Sequence, residues 1–297
     1  MPSPIPFIRS TPALSKLEPH LLPLIFPAIK VTTRSTKSLP PGASRIGGLP
    51  DLPANESWPQ GPCGPMTPIA MLRFSEIHAA APWSPLPAQG LLYLWFDSRW
   101  DRWGSDPADA RGFAVRFFPD EPTPLTRRSA PPRPDLTEQQ LEDLEPNSPE
   151  AAFILGAHTA TFESAWTFEN PHPGADRAIE GAIYLLTEEF DFHQATPRPD
   201  QLLGRPDCFQ SPFELIPPGP LRDELSTEEF AAAADRRPMN AALLAKSRDW
   251  LLLADIGWEG KSGWLDLGDA GQMLWSLHKD DLARKDFSKV WLSIQCG

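Results

Sequence analysis

Apolar residues recur along this chain in runs of strand length, separated by glycine and proline. Residues 69–74, Ile-Ala-Met-Leu-Arg-Phe, and residues 90–97, which hold Leu-Leu-Tyr-Leu-Trp-Phe, read as buried strands with Gly90 at the turn. Residues 112–118 alternate and place Phe113, Val115 and Phe117 on one face. Residues 28–35 predict a further strand, ended by Pro40-Pro41-Gly42. Residues 159–169 predict another, in which Phe162, Ala165 or Trp166, and Phe168 compete for the inner face. Residues 250–256, 271–278 and 290–296 complete the strands. Helical patterns are fewer. Residues 12–26 predict a proline-broken helix with Leu14, Leu17, Leu21, Leu22 and Ile25 inward. Ser226-Thr227-Glu228-Glu229 opens one helix with polar caps and an acidic first turn, and residues 240–248 form a second. Residues 135–144 fit a helix, and residues 279–289 predict a short one capped by Asp280 or Asp281. Residues 178–186 fit helix or strand, with a short strand preferred.

One phrase occurs twice. Gly47-Gly48-Leu49-Pro50-Asp51 precedes the apolar runs at 69–74 and 90–97, and Leu203-Gly204-Arg205-Pro206-Asp207 precedes those at 250–256 and 271–278. The repeat predicts an α+β fold of mostly antiparallel sheet, built from two duplicated β-rich halves with a few short helices. Its expected divisions are an N-terminal half over 1–118, an acidic, proline-rich insert over 119–150, and a C-terminal half over 151–297, together one compact unit. The two pairs of apolar runs are expected to superpose.

Composition refines the picture. Thirty-seven prolines among 297 residues oppose long helices. The stretch 53–68 reads as a rigid loop, because Trp58 and Met66 need burial. The formal net charge of −12 disfavours nucleic-acid binding, which needs a basic surface, and permits a basic protein partner. Cys63, Cys208 and Cys296 are too far apart in sequence for a zinc or redox motif and fit a reducing compartment. The opening residues lack the pattern of a secretory signal, and the apolar run at 21–29 is interrupted by Pro23 and Pro27. A cytoplasmic protein without membrane contact is expected.

Several words carry a family resemblance. They are Ser44-Arg45-Ile46-Gly47-Gly48-Leu49-Pro50 with Trp58-Pro59, then Leu202-Leu203-Gly204-Arg205-Pro206-Asp207-Cys208-Phe209-Gln210, Trp250-Leu251-Leu252-Leu253, Gly268-Asp269-Ala270-Gly271, Asp281-Leu282 with Phe287, and Leu292-Ser293-Ile294-Gln295-Cys296. In this order the chain resembles the bacterial YwqG-like family, the domain of unknown function numbered 1963. The resemblance implies a compact α+β protein with much antiparallel sheet. It implies no established reaction, cofactor or catalytic set.

Catalytic signatures are absent from the sequence. There is no nucleophile elbow, phosphate loop or dinucleotide fingerprint. No two of the six histidines have compact metal-ligand spacing, although His158 and His172 flank a predicted strand. No metal, cofactor or catalytic residue is assigned. The polar residues inside the family words are the ligand-cleft candidates: Arg45, Asp207, Gln210, Asp269 and Gln295. They either pin loops or line a polar cleft between the halves. Asp135, Glu138, Glu142, Asp143 and Glu145 form the partner-binding candidate. The expected function is a non-catalytic protein-binding module, of the immunity or antitoxin type, for a basic partner. The alternative is a small-ligand-binding protein, or an enzyme of unknown reaction, using the cleft.

Overall fold

A computed structural model describes residues 2–99, 103–104, 106–121, 124–132, 154–169, 176–190, 192, 198–206, 208, 248–257 and 271–296. The fold is α+β and mostly antiparallel sheet. Its main strands are β1 (Ile25–Ser35), β2 (Arg45–Ile46), β6 (Thr67–Arg73), β7 (Leu91–Phe96), β8 (Phe113–Phe118), β10 (His158–Phe168), β11 (Asp200–Leu203), β12 (Trp250–Gly257), β13 (Gln272–His278) and β14 (Trp291–Gln295). Short pairs β3 (Asp51–Pro53) with β9 (Leu125–Arg127), and β4 (Gln60–Gly61) with β5 (Gly64–Pro65), lie apart from this sheet. The helices are α1 (Pro4–Ser10), α2 (Pro12–Ser15), α3 (Glu18–Leu21), α4 (Phe74–Ala80), α5 (Arg177–Phe190) and α6 (Lys279–Arg284).

The main sheet runs β14-β13-β12-β11-β1-β10-β2-β6-β7-β8. Its centre is the ladder between β1 and β10, from Ile25 opposite Phe168 to Ser35 opposite His158. On the far side of β10 lies β2, and on the far side of β1 lies β11. Beyond each comes a three-strand meander, and each meander has an irregularity in its first strand, between Pro68 and Ala70 and between Leu252 and Ala254.

The meanders curl toward each other into a near-barrel with a shared core. Leu92, Leu94 and Phe96 from β7 join Met273, Trp275 and Leu277 from β13 inside it. Phe113, Val115 and Phe117 face that core from β8, as their alternation predicts. The edges meet through aromatic rings: Phe113 stands edge-on to Trp275 at 5.9 Å and to Trp291 at 5.5 Å. Backbone donors of β14 are also used there, since Ile294 N donates to Trp103 O at 2.9 Å. The segment at Trp103 and Gly104 therefore covers one free edge, a position that would otherwise invite another strand.

The β1–β10 ladder extends past the barrel, and its end is covered by the helices. Phe168 packs with Ile8, Leu14, Leu21, Ile183 and Leu186, so Trp166 and Phe168 lie on the face that Ala165 leaves. Three predictions need correction. Residues 178–186 belong to a helix, α5, whose buried Ala182, Ile183, Leu186 and Phe190 follow helical spacing once the segment is read to residue 190. Leu22 is exposed, because the amino-terminal segment breaks into separate short helices at its prolines. Helix α6 is capped by His278, which accepts from Asp280 N, and not by an aspartate. The predicted helices at 135–144, 226 onward and 240–248 fall outside the described residues, apart from Arg248.

Most of the outer face of the first meander is apolar and sealed. Met71, Leu91, Tyr93 and Trp95 pack beneath Leu52 and Met66, with Trp58 against Trp95 at 5.2 Å. Burial on both faces explains why β7 is apolar throughout. The segment that folds over this face turns sharply at Gly47 and Gly48, with φ of +66° and +72°. The corresponding turn after β11 uses Leu203 and Gly204, with φ of +58° and +73°. A Cβ on Gly48 would lie 2.7 Å from the Ala157 Cβ, and one on Gly204 would lie 2.6 Å from the Ala28 Cβ. Only glycine satisfies both the left-handed φ and the close approach. Gly48→Ala and Gly204→Ala should each lower stability by about 1–3 kcal/mol. Urea melts indistinguishable from wild type would show that the turns relax at no cost.

Candidate functional site

Two buried polar groups lie on the outer faces of the two meanders. The first centres on Asp51, which is fully buried. Its carboxylate accepts from Gly42 N at 2.9 Å, from Arg127, and from Arg45 through a short ion pair. Arg45 also donates to Leu49 O at 3.0 Å and Pro40 O at 3.2 Å. Tyr93 donates its hydroxyl to the Asp51 carbonyl at 2.6 Å. Burial lowers the Arg45 pKa against the pull of Asp51. Burial alone would raise the Asp51 carboxyl, but the bonds from Arg127 and Gly42 and the charge of Arg45 hold it below the usual carboxylate range. Burial, reinforced by Asp51, pushes the Tyr93 phenol far up. These bonds tie together the turn after β2, the loop before it, and β9.

The second group occupies the outer face of β11–β14. Asp255 on β12 is 1% exposed, and its Oδ2 accepts from Arg198 Nη2 at 2.8 Å and from Gln272 Nε2 at 2.7 Å. Gln201 lies opposite Asp255 across the β11–β12 pair, and Gln295 lies opposite Gln272 across β13–β14. Both are buried. Gln201 donates to Leu203 O at 2.8 Å and Arg205 O at 3.1 Å, so it holds the turn that contains the left-handed Leu203. Asp200 accepts from Gly257 N at 2.9 Å. Cys208 packs beside Leu252 and Leu274 on the same face.

The registers of the two meanders make the contrast specific. Met71 lies opposite Arg45 and Tyr93, as Asp255 lies opposite Gln201 and Leu274. Leu91 lies opposite Arg73 and Phe118, as Gln272 lies opposite Gly257 and Gln295. At three of these positions the first meander carries Met71, Leu91 and Phe118 where the second carries Asp255, Gln272 and Gln295.

The sequence candidates divide accordingly. Arg45 is buried in the Asp51 network, where its guanidinium is occupied by the carboxylate and loop carbonyls. Gln295 belongs to the Asp255 face. Strands β13, β12, β11, β1 and β10 separate β14 from β2, so these two residues mark different places on the sheet. Asp207, Gln210 and Asp269 lie outside the described residues. So do Asp135, Glu138, Glu142, Asp143 and Glu145. His158 is buried with Nδ1 2.9 Å from Gly156 O, while His172 is outside the described residues. Asp255, Gln272 and Gln201 were missed, because single polar residues within or beside apolar runs carry no motif, and Arg198 was missed because it sits in a polar, proline-rich stretch without one. The available signal was an aspartate within Leu-Leu-Leu-Ala-Asp-Ile, where an apolar residue is expected. Among the described residues, no group of three or more His, Cys, Asp or Glu side chains is placed to hold a metal ion. No helix among them is long and apolar enough to cross a membrane.

The family model for the domain of unknown function DUF1963 matches residues 44–296. The chain belongs to that family. No curated protein matches its sequence.

The Asp51 network generates a prediction. Asp51→Asn leaves Arg45 and Arg127 without their counter-charge and should cost about 3–5 kcal/mol at neutral pH. The depressed Asp51 pKa contributes stability that is present above its unfolded value, near pH 4, and is lost as pH falls through the lower folded value. The variant should therefore lose less stability than wild type between pH 5 and pH 2. Parallel acid limbs in urea titrations would remove Asp51 from the pH dependence.

Proposed function

We propose that the chain consists of two repeats of one β-rich unit, and that it binds a small polar ligand on the Asp255 face of the second repeat. Several pairings support the repeat. The bend at Gly47-Gly48 against Ala157 has its counterpart at Leu203-Gly204 against Ala28. Arg45 donates to Leu49 O, and Gln201 donates to Arg205 O. Ser44 accepts from Arg73 N, and Asp200 accepts from Gly257 N. Each unit lends its first strand to the other's flank, since β10 carries β2 and β1 carries β11.

The observation that carries the ligand reading is the contrast in outer-face residues. Met71, Leu91 and Phe118 seal the first face; Asp255, Gln272 and Gln295 occupy the same register on the second. Burying polar groups costs stability relative to an apolar set of similar shape. The first unit fills these three positions with apolar side chains and confines its buried charges to the fully bonded Asp51 network, so the role of the three on the second is recognition. This reading moves the expected cleft from the junction between the halves to one face of the second unit.

The formal charge of −12 favours a second reading, in which the acidic cluster at Asp135, Glu138, Glu142, Asp143 and Glu145 docks a basic protein of the toxin type. A basic protein recovered with the chain should then associate more slowly at higher salt and with the cluster reversed in charge. Association indifferent to both would remove the cluster.

The ligand reading is tested by writing apolar residues into the second face. Arg198→Met combined with Asp255→Met should keep wild-type stability or gain up to about 1–4 kcal/mol, as replacement of buried ion pairs often does. Small molecules retained by the wild-type protein after incubation with cell extract and gel filtration, released by denaturation and identified by mass spectrometry, should be lost. A variant destabilised by several kcal/mol would make the cluster part of the scaffold. A wild-type protein that retains nothing would sink the reading.

A further inference from the structure

Asp255 is buried, and only one of its carboxylate oxygens is occupied. Oδ2 receives both Arg198 and Gln272. Oδ1 is also buried and has no hydrogen-bond partner among the described residues. An acceptor in this position costs stability when it stays unmade, more so because it is charged. Leu274, opposite Asp255 on β13, offers only an apolar side chain. The direct cross-strand partner on the other side, Gln201, has its amide committed to Leu203 O and Arg205 O.

Resting on the ligand-binding reading above, we infer that Asp255 Oδ1 is the recognition atom of the site and accepts a neutral N–H or O–H donor, as from a primary amide or a hydroxyl. The charge balance selects the class. Arg198 already compensates the Asp255 carboxylate at 2.8 Å. A second full cation on Oδ1 would stand close to that guanidinium with like charge, and an anion would meet the lone pairs of Oδ1. A neutral donor satisfies the oxygen without either conflict. Asp200 and Arg205, the other charged groups carried by β11 and its turn, are engaged with Gly257 N and with Glu169.

The geometry also fixes what an asparagine would do. Two donors converge on the Oδ2 position, so Asp255→Asn turns its carbonyl oxygen toward Arg198 and Gln272. Its amide nitrogen then stands where Oδ1 was, and the acceptor becomes a donor.

The experiment is a nuclear magnetic resonance titration of the full chain with four probes: acetamide, ethylene glycol, methylammonium and acetate. The reporters are the Gln272 side-chain amide and the Leu274 and Gln201 backbone amides. In wild type, acetamide and ethylene glycol should move these signals saturably, with methylammonium and acetate at least about tenfold weaker, as expected for one hydrogen bond. In Asp255→Asn the order should reverse, with acetate strongest and ethylene glycol about tenfold weakened. Wild-type preference for acetate or methylammonium at these signals would overturn the donor assignment while retaining the site. An unchanged preference in a folded Asp255→Asn variant would overturn it too. Wild-type signals moved by none of the four probes would overturn the assignment together with the ligand-binding reading. If the variant does not fold, the wild-type ranking decides alone.

Discussion

The ladder between β1 and β10 is the constraint on which the rest of the molecule depends. Its two strands are eleven residues each and pair along their whole length. Each then offers its other edge to strands from the far side of the chain: β10 to β2, which follows β1, and β1 to β11, which follows β10. Each flank is thus carried by a central strand that is not its neighbour in the chain. Removing one partner strand would expose a row of unpaired backbone groups at the centre of the sheet. The cross-pairing links the two meanders into one cooperative structure, and the shared aromatic seam at Phe113, Trp275 and Trp291 reinforces that link.

The cross-pairing also explains the glycine turns. A chain leaving β2 or β11 must climb over the neighbouring central strand to reach the outer face. It does so at Ala157 in one case and Ala28 in the other, with almost no clearance. Two successive left-handed residues reverse the backbone there, and a proline follows two positions later to stiffen the departing chain. After β2 both left-handed residues are glycines. After β11 the first is Leu203, which accepts strain of about 1–3 kcal/mol because Gln201 holds its carbonyl. Strain beside a buried polar group is concentrated on the second flank.

Much of this was legible in the sequence, and the reasons are physical. The meander strands β6, β7, β12 and β13 are buried on both faces, so they read as continuous apolar runs. The glycine–proline phrases were visible because left-handed backbone restricts composition so strongly. Strand β11 was not visible as a strand, because four residues running into a turn have no periodicity of their own. Helix α5 was misread for a related reason: over nine residues its apolar positions fit two periods, and only Phe190 separates them. The pairing of β2 with β10 and of β11 with β1 could not be read, since pairing is a property of non-local contacts. Of the cleft candidates, Arg45 and Gln295 are buried polar residues on separate strands of the sheet, a placement that depends on strand order and so leaves no trace in the local sequence.

The two polar groups call for different explanations, and the difference lies in how completely each is satisfied. Around Asp51, both carboxylate oxygens are occupied, Arg45 is spread over the acid and three loop carbonyls, and Tyr93 closes the remaining carbonyl. The Arg45 and Gly42 bonds fold the loop around β2 on itself, and the Arg127 and Tyr93 bonds fasten it to β9 and β7, so the network accounts for itself as a clamp on the loops over the first meander. Around Asp255 the same accounting does not close. Arg198 and Gln272 converge on one oxygen and leave the other buried beside a leucine. A scaffold gains nothing from that oxygen, because an apolar residue at the same register, Met71 on β6, packs without any unmet bond. Among the described residues Trp95 and Trp275 also leave an indole N–H unmet, but those are neutral donors on large apolar rings, whereas at Asp255 the unmet atom belongs to a carboxylate, where leaving a bond unmade costs more. That difference, a closed network on the first face and an open carboxylate oxygen on the second, is what the proposed ligand reading rests on.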